Sequence, residues 1–267
     1  TKESYLADLW SFDTRVSSWK LVHNSSPCGQ PPARYAHSAV VIGTNMFIFG
    51  GCGDGTCWRD LWSFDTVNMV WSKQQMRGSA PNPRAYHVSV AVNSTLLVLG
   101  GRAGTQFYSD MYSYNTSDGV WSQVAENGDR PSAMAYHTAV AIAGKVFVFG
   151  GMDGKTSTNM TYVFDVDRAE WSKFETPDSP KARHKHAACS YGPCMIVIGG
   201  VGTGSQTFND AWVLDSAPQT PSQLSLQLAS PPHLAPPPPP PSTHQTAVPQ
   251  QEQQPLQSPQ QQAVNSP

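Results

Sequence analysis

A pair of adjacent glycines recurs along the chain about every 50 residues and each time ends a short apolar run, in turn MFIF, LLVL, VFVF and MIVI. Self-similarity at a fixed period is typical of folds that repeat one supersecondary unit. Paired glycines suit a strand end that needs positive φ and close backbone approach, which a side chain would obstruct. We therefore expect a structural role for Gly50, Gly51, Gly100, Gly101, Gly150, Gly151, Gly199 and Gly200.

Three further elements keep a constant order around each glycine pair. A histidine stands about 13 residues before the pair and opens a strand-like stretch, and an aromatic-x-aromatic stretch follows after a variable loop. A tryptophan then closes the unit. Each unit therefore predicts four short strands, which we call a, b, c and d, and together they form one blade of an all-β propeller. The histidines are His37, His87, His137 and His186, and the closing tryptophans are Trp19, Trp71, Trp121 and Trp171.

The combination of Gly-Gly, an aromatic strand c and a closing Trp matches the kelch motif, and this resemblance covers residues 1–215. The pattern P-x-x-R-x-x-H before strand a, in QPPARYAH and PNPRAYH, resembles kelch units of host cell factor, leucine-zipper-like regulator and attractin-type proteins. The resemblance implies four-stranded antiparallel blades and a non-catalytic scaffold that binds other proteins.

The unit boundaries predict a half blade over 1–22, blades over 34–73, 84–123 and 134–173, and an incomplete blade over 183–215. Kelch rings usually carry five to seven blades, so this count predicts a partial or truncated ring. Its open edges would need further blades or a second copy.

Composition changes at about Ser216, beyond which Pro and Gln dominate. Such a segment cannot bury a core, so we expect residues 216–267 to form a disordered tail. The proline run 236–241 favours polyproline II, which makes it either a plain linker or a ligand for a polyproline-binding domain.

Arginine and aspartate recur together in three units and are lost together in the fourth. Arg opens strand a and Asp opens strand c, whereas the third complete unit has Met134 and Met160 in their places. Removing one partner of a buried pair strands a charge, but replacing both with apolar residues can be nearly neutral. The joint loss therefore predicts structural ion pairs of Arg34 with Asp60, Arg84 with Asp110, and Arg183 with Asp210.

Loops that join b to c vary most between units, and variable loops on a rigid scaffold are where recognition usually lies. Aromatic and arginine side chains in these loops are typical of binding hot spots. Trp58, Tyr108 and Phe208 each stand two residues before strand c, so they have either a packing or a binding role. The candidate partner contacts are Trp58, Arg59, Arg102, Phe107, Tyr108, Lys155 and Phe208.

Other function classes lack support in the sequence. The net charge of −2 with both signs interspersed provides no basic stripe for nucleic acid, and no apolar run approaches the roughly 20 residues that span a bilayer. We find no catalytic, metal or cofactor motif. We interpret the four repeat histidines as structural, hydrogen-bonded to backbone within each blade, although a metal-dependent kelch enzyme remains a further alternative.

Cysteines and glycosylation sequons leave the compartment open. Cys52 with Cys57, and Cys189 with Cys194, are either thiols or local disulfides. The absence of a signal segment slightly favours the cytoplasm, although the chain starts at Thr1 rather than Met. Sequons at Asn24, Asn93, Asn115 and Asn159 support the alternative of an extracellular recognition or adhesion module of attractin-like type.

Overall fold

Apolar and alternating segments of the repeat form antiparallel sheets in the computed structural model, which describes residues 5–22 and 29–216. The N-terminal hairpin contains β1 (Trp10–Asp13) and β2 (Ser18–Leu21). Blade 1 contains β3 (Ser38–Ile42), β4 (Asn45–Phe49), the short hairpin strands β5 (Cys52–Gly53) and β6 (Thr56–Cys57), β7 (Leu61–Asp65) and β8 (Val70–Lys73).

The following units repeat this arrangement. Blade 2 is preceded by β9 (Arg77–Gly78) and contains β10 (Val88–Val92), β11 (Thr95–Leu99), β12 (Arg102–Ala103), β13 (Gln106–Phe107), β14 (Met111–Asn115) and β15 (Val120–Gln123). Blade 3 is preceded by β16 (Asn127–Gly128) and contains β17 (Thr138–Ile142), β18 (Lys145–Phe149), β19 (Thr161–Asp165) and β20 (Glu170–Phe174). Blade 4 contains β21 (Ala187–Tyr191), β22 (Cys194–Ile198), a short 3-10 turn (Thr203–Ser205) and β23 (Ala211–Asp215).

Long strands in each blade pair in the order a–b–c–d, always antiparallel. In blades 2 and 3 the segment leading from the previous blade adds a short parallel strand, β9 or β16, to the outer strand d. Blade 4 has strands a, b and c among the described residues. The predicted fold class, an all-β propeller of antiparallel kelch blades, is confirmed.

The core lies between neighbouring blades. Strand b is apolar along its length, and both of its faces are covered: Leu96 and Leu97 of blade 2, which point to opposite faces, are 1% and 4% exposed. Leu96, Val98 and Tyr114 of blade 2 pack against Phe47 and Phe49 of blade 1. Burying side chains of this size stabilises the fold by about 1.5–3 kcal/mol each.

The closing tryptophan of each complete blade packs against the aromatic residue directly opposite on strand c. Ring centroids are 5.0–5.1 Å apart in all three blades. The tryptophans, Trp71, Trp121 and Trp171, are almost fully buried. Strand d is therefore fixed to the sheet by a tilted aromatic pair as well as by backbone hydrogen bonds.

The second glycine of the pair connects blade 1 to blade 2, blade 2 to blade 3 and blade 3 to blade 4. Gly101 has φ +92° and donates its N–H to the carbonyl of Met134 in blade 3, at 2.8 Å. A Cβ at this position would lie 2.7 Å from the Cβ of His87 and 2.8 Å from the carbonyl oxygen of Ala85. The glycine repeat therefore serves both the conformation and the close approach predicted for it.

Residues 217–267, which hold most of the predicted disordered tail and its proline run 236–241, lie outside the described residues. Asn24 and its sequon also lie outside them. Helical structure in the described part of the chain is too short to cross a membrane.

Candidate functional site

Antiparallel strand order puts all b–c loops, and all segments leading from d into a, at the same end of the blades. We call this end the upper face. It comprises residues 34–37, 52–59, 84–87, 102–109, 134–137, 152–159, 183–186 and 201–209. The opposite end, the lower face, comprises the turns at 43–44, 66–69, 93–94, 116–119, 143–144 and 166–169.

A backbone ladder runs around the ring on the upper face, next to strand a, where neighbouring blades contact one another. The residue before each repeat histidine has positive φ, between 54° and 62°. Tyr86 donates its N–H to the carbonyl of Ala36 (2.9 Å), Tyr136 to that of Tyr86 (3.0 Å), and Lys185 to that of Tyr136 (3.0 Å). Non-glycine residues adopt this conformation at a cost, and such strain is often found at functional sites.

Aromatic side chains accompany this ladder, and we call them the axial stack. Ring centroids of consecutive members are 4.8, 6.1, 4.2 and 6.0 Å apart. Tyr35 is 38% exposed and the next three members are partly buried. The axial stack consists of Tyr5, Tyr35, Tyr86, Tyr136 and His184.

Two cations converge on Tyr136. The Nη1 of Arg102 donates to its hydroxyl at 3.3 Å, and the Nζ of Lys185 lies 5.2 Å from its ring centroid. Within residues 5–22 and 29–216, neither cation lies within ion-pair distance of a carboxylate. Both positive charges are therefore available to a ligand that approaches the axial stack.

Arg102 and Phe107, both predicted contacts, form one cross-strand pair of the hairpin β12–β13. The guanidinium of Arg102 lies 5.5 Å from the ring centroid of Phe107. Gly154 of blade 3 faces the same ring, since a Cβ there would lie 2.9 Å from Phe107 Cε2. Blade 3 therefore restricts this pair from the side.

The other predicted contacts divide into two groups. Trp58, Tyr108 and Phe208 cover the guanidinium groups of the predicted ion pairs, at 4.6, 4.3 and 4.3 Å from ring centroid to guanidinium carbon. These rings pack against arginines of their own blades, which is a structural role. They are also partly exposed, so a partner could contact them. Arg59 and Lys155 are exposed on the upper face.

Each guanidinium forms a bidentate pair with the predicted aspartate. The Nη1–Oδ1 distances are 2.8 Å for Arg34 and Asp60, 2.7 Å for Arg84 and Asp110, and 2.6 Å for Arg183 and Asp210. The same Nη1 also donates to the carbonyl of the first repeat glycine, at 2.8–2.9 Å. The ion pair therefore ties strands a, b and c together immediately below the upper-face loops.

Electrostatics follow from this geometry. Burial alone would raise the pKa of Asp60, but hydrogen bonds from Arg34 and Trp62 outweigh it and hold the pKa below its ordinary value. The hydrogen bond from Arg183 lowers the pKa of Asp210 to about 2. In blade 3 a buried Met134 replaces the arginine, and Met160 replaces the aspartate.

The repeat histidines lie between blades. Ser38 of blade 1 contacts Nε2 of His87 in blade 2 at 2.7 Å, and Thr138 of blade 3 contacts Nε2 of His186 at 2.8 Å. Our expectation of backbone partners within each blade missed these hydroxyl partners from the preceding blade. In the described ranges, no three His, Cys, Asp or Glu side chains cluster as metal ligands would.

Val88 occupies the position of Ser38 and Thr138 and offers no hydroxyl to His137, whose Nε2 has no hydrogen-bond partner among the described residues. We expect Val88→Thr to raise the free energy of unfolding by about 1 kcal/mol, because it supplies the missing hydrogen bond to a buried group. Urea denaturation measures this change. In the His137→Leu background the same substitution should give no gain, and an equal gain there would contradict the assignment.

Cysteine chemistry differs between the two candidate pairs. Cys52 and Cys57 form a disulfide across the hairpin β5–β6. Cys189 and Cys194 are free thiols on neighbouring strands. Of the sequon asparagines, Asn93 and Asn115 are exposed on or beside the lower face, and Asn159 is exposed on the upper face.

The axial stack is not visible as a repeat in the sequence because its aromatic residues do not keep a constant position. Tyr35 stands two residues before its histidine, whereas Tyr86 and Tyr136 stand one residue before theirs. The last member, His184, again stands two residues before its histidine, His186. Aligning the units on an aromatic residue within the three positions before the histidine would have found the set.

Comparison with known proteins agrees with this geometry. The model of the KLHDC2/KLHL20/DRC7 Kelch-repeats domain matches residues 1–151 and again residues 88–253. The chain is 34% identical over 90 residues to host cell factor of Drosophila melanogaster, covering 30% of this chain and 6% of that protein. It is 37% identical over 91 residues to the leucine-zipper-like transcriptional regulator 1 homolog of the same species, covering 31% and 9%.

Human Kelch domain-containing protein 3 is 34% identical over 84 residues, covering 31% of this chain and 22% of that protein. The matched part thus spans less than a quarter of the length of each of these relatives.

Proposed function

The chain belongs to the kelch-repeat family, and on that premise we propose that it is a non-catalytic scaffold that binds a partner protein through its upper face. Kelch propellers generally mediate protein–protein interaction. The observation that carries the proposal is the convergence of the unpaired Arg102 and Lys185 on Tyr136, within the axial stack.

Rigidity supports this role. The backbone ladder fixes the axial stack between blades, and the buried ion pairs fix the base of each b–c loop. Aromatic and arginine side chains held in place lose little conformational entropy on binding, which is why they dominate hot spots. The upper face has both features.

Variation between blades supports recognition of one specific partner. The cross-strand pair at the base of the b–c loop is Cys52 with Cys57 in blade 1 and Arg102 with Phe107 in blade 2. In blades 3 and 4 it is Met152 with Ser157 and Val201 with Thr207. The same backbone position thus presents four different chemistries around one ring, which makes the surface asymmetric.

Charge indicates what the partner presents. Arg102 and Lys185 are positive, and Lys155 adds a further exposed cation on the same face. Because unpaired cations complement acidic groups, we expect the partner segment to carry a carboxylate opposite Tyr136. Its apolar or aromatic side chains would then contact the axial stack.

The test is a comparison of proteins retained by immobilised variants. We expect Arg102→Ala with Lys185→Ala to weaken retention of the wild-type partner about 10- to 100-fold, since hot-spot truncations cost about 1–3 kcal/mol. The control is Lys145→Ala with Arg168→Ala, two exposed cations at or beside the lower face, of which Lys145 lies 3.7 Å from Asp165. Retention by the Arg102→Ala, Lys185→Ala variant that equals retention by the wild type would contradict the proposal, as would an equal loss in the control.

A second candidate is an extracellular recognition module. The disulfide between Cys52 and Cys57, together with exposed sequons at Asn93 and Asn115, favours an oxidising compartment. Treatment of the native protein with an N-glycosidase tests it: a mobility shift supports this candidate, and no shift removes it.

A further inference from the structure

The b–c loop of blade 1 is the one described loop that is closed by a covalent bond. Cys52 and Cys57 are directly opposite in β5–β6, with Cα atoms 4.0 Å apart. The equivalent loops of the other blades are closed by noncovalent pairs, for example Val201 with Thr207 in blade 4. The other blades therefore form this loop without a disulfide. In blade 1 the disulfide is an additional constraint on the same loop.

Cys52 is connected directly to the axial stack. Its N–H donates to the carbonyl of Tyr35 and its carbonyl accepts from the N–H of Tyr35, both at 2.9 Å. Loosening of the hairpin would therefore weaken the two backbone hydrogen bonds that hold Tyr35. In blade 2 the corresponding bonds join Arg102 to Ala85 and involve no cysteine.

The hairpin also restrains Trp58, the residue after Cys57. A Cβ at Gly53 would lie 2.6 Å from Cη2 of Trp58, so the ring lies directly against the hairpin backbone. The ring also covers the guanidinium of Arg34, whose Cζ lies 4.6 Å from the ring centroid. Loosening the hairpin would therefore release a tryptophan on the upper face.

Reductants can reach the bond from the side of Cys57. Cys52 is 7% exposed, whereas Cys57 is partly exposed and the intervening residues 54–56 are exposed. Exposed disulfides are the labile class, whereas deeply buried ones are inert.

We propose that the Cys52–Cys57 disulfide is a reversible redox staple that controls the order of the upper face around Tyr35 and Trp58. In the forward step the thiolate of a dithiol attacks Sγ of Cys57, and Cys52 leaves as a thiolate that takes up a proton. The second thiol of the reductant then attacks the mixed disulfide, releasing Cys57 as a thiol and the reductant as its cyclic disulfide. Two electrons and two protons pass to the protein, and a disulfide oxidant reverses the step.

Hydrogen exchange measured by mass spectrometry tests the staple without any partner. With dithiothreitol we expect amide exchange at Tyr35 and at residues 52–58 to accelerate about tenfold or more, because the hairpin opens more often. Ala85 and residues 102–108 of blade 2 provide the internal control and should not change. Equal exchange at Tyr35 and 52–58 in the oxidised and reduced protein would overturn the proposal, as would reactive thiols at both positions in the untreated protein.

A variant copied from blade 4 separates reduction of this bond from other effects of the dithiol. Cys52→Val with Cys57→Thr places the residue types of the Val201–Thr207 bridge at these two positions, so we expect the variant to fold. Its exchange should be insensitive to dithiothreitol. Acceleration in this variant equal to that in the wild type would show that another group responds and would overturn the proposal.

The consequence for binding rests on the proposed function. Retention of the partner by wild-type protein should fall at least threefold after reduction and recover after reoxidation. Retention by the Cys52→Val, Cys57→Thr variant should be the same with and without the reductant. If reduction accelerates exchange but leaves retention by the wild type unchanged, the disulfide does not control binding. Failure of the proposed function is distinguishable, because it leaves the exchange result intact while the Arg102→Ala, Lys185→Ala variant retains its partner.

Discussion

Replacing Asp110 with methionine is expected to lower the free energy of unfolding by about 3 kcal/mol, because the fully buried guanidinium of Arg84 loses its counter-ion. The double variant Arg84→Met, Asp110→Met should recover most of this loss and lie within about 1 kcal/mol of the wild type, since it removes both charges together. Chemical denaturation of the single and double variants measures the difference.

The chain itself supplies the reference for this experiment. Blade 3 carries Met134 and Met160 at the same two positions and forms the same four-stranded sheet as blade 2. A double variant that loses as much stability as the sum of the two single variants would contradict the idea that the charges act as a unit. It would mean that the contacts of Arg84 with the Gly100 carbonyl and with Tyr108 account for its role instead.

Acid should begin to destabilise the protein below about pH 6.5, before its carboxylates titrate. Burial lowers the pKa of His87 and His137 to about 3, and that of His186 to about 4. In the unfolded chain these histidines bind protons below about pH 6.5, whereas in the folded protein they stay neutral. The unfolded state therefore binds more protons, and stability decreases as the pH falls.

The expected slope is steep. Each of the three histidines contributes about 1.4 kcal/mol per pH unit once the pH is well below 6.5 and above its folded pKa, so together they contribute about 4 kcal/mol per unit. For a domain of ordinary stability the fold should be lost between about pH 5 and 3.5. Depressed carboxyl pKa values, such as that of Asp210, add a further loss only below about pH 4.

Urea denaturation at a series of pH values measures this slope. His137→Leu removes one titrating group and should reduce the slope by about a third. Stability that stays constant between pH 7 and 4.5 would show that the histidines titrate in the folded state and are accessible, contrary to their buried positions.

The sequence predicted those parts of the fold that depend on a constant residue at a constant spacing. Strand b, the glycine pair and the closing tryptophan each have a fixed place in the sheet, so their repetition is visible in one chain. The joint loss of two charges at Met134 and Met160 was enough to predict the partner of Arg84, because an unpaired buried charge is costly.

Other parts of the upper face could not be predicted because they depend on backbone conformation. The backbone ladder of the upper face requires positive φ at Ala36 and Lys185. Neither residue type favours this conformation, so the neighbouring blades impose it. Once the backbone turns there, aromatic rings reach the same stack from two different positions, so no constant spacing marks them. The partner hydroxyls of the histidines likewise come from the preceding blade, about 50 residues away.

Contact of a partner protein with the upper face is tested most directly by hydrogen exchange of the chain with and without the partner that it retains. If the partner binds there, exchange should be slower in the complex at 52–59, 85–86, 102–108, 135–136 and 184–185. Exchange at the lower-face turns 66–69, 116–119 and 166–169 should not change. Protection confined to the lower-face turns, with unchanged exchange around Tyr136, would contradict contact at the upper face.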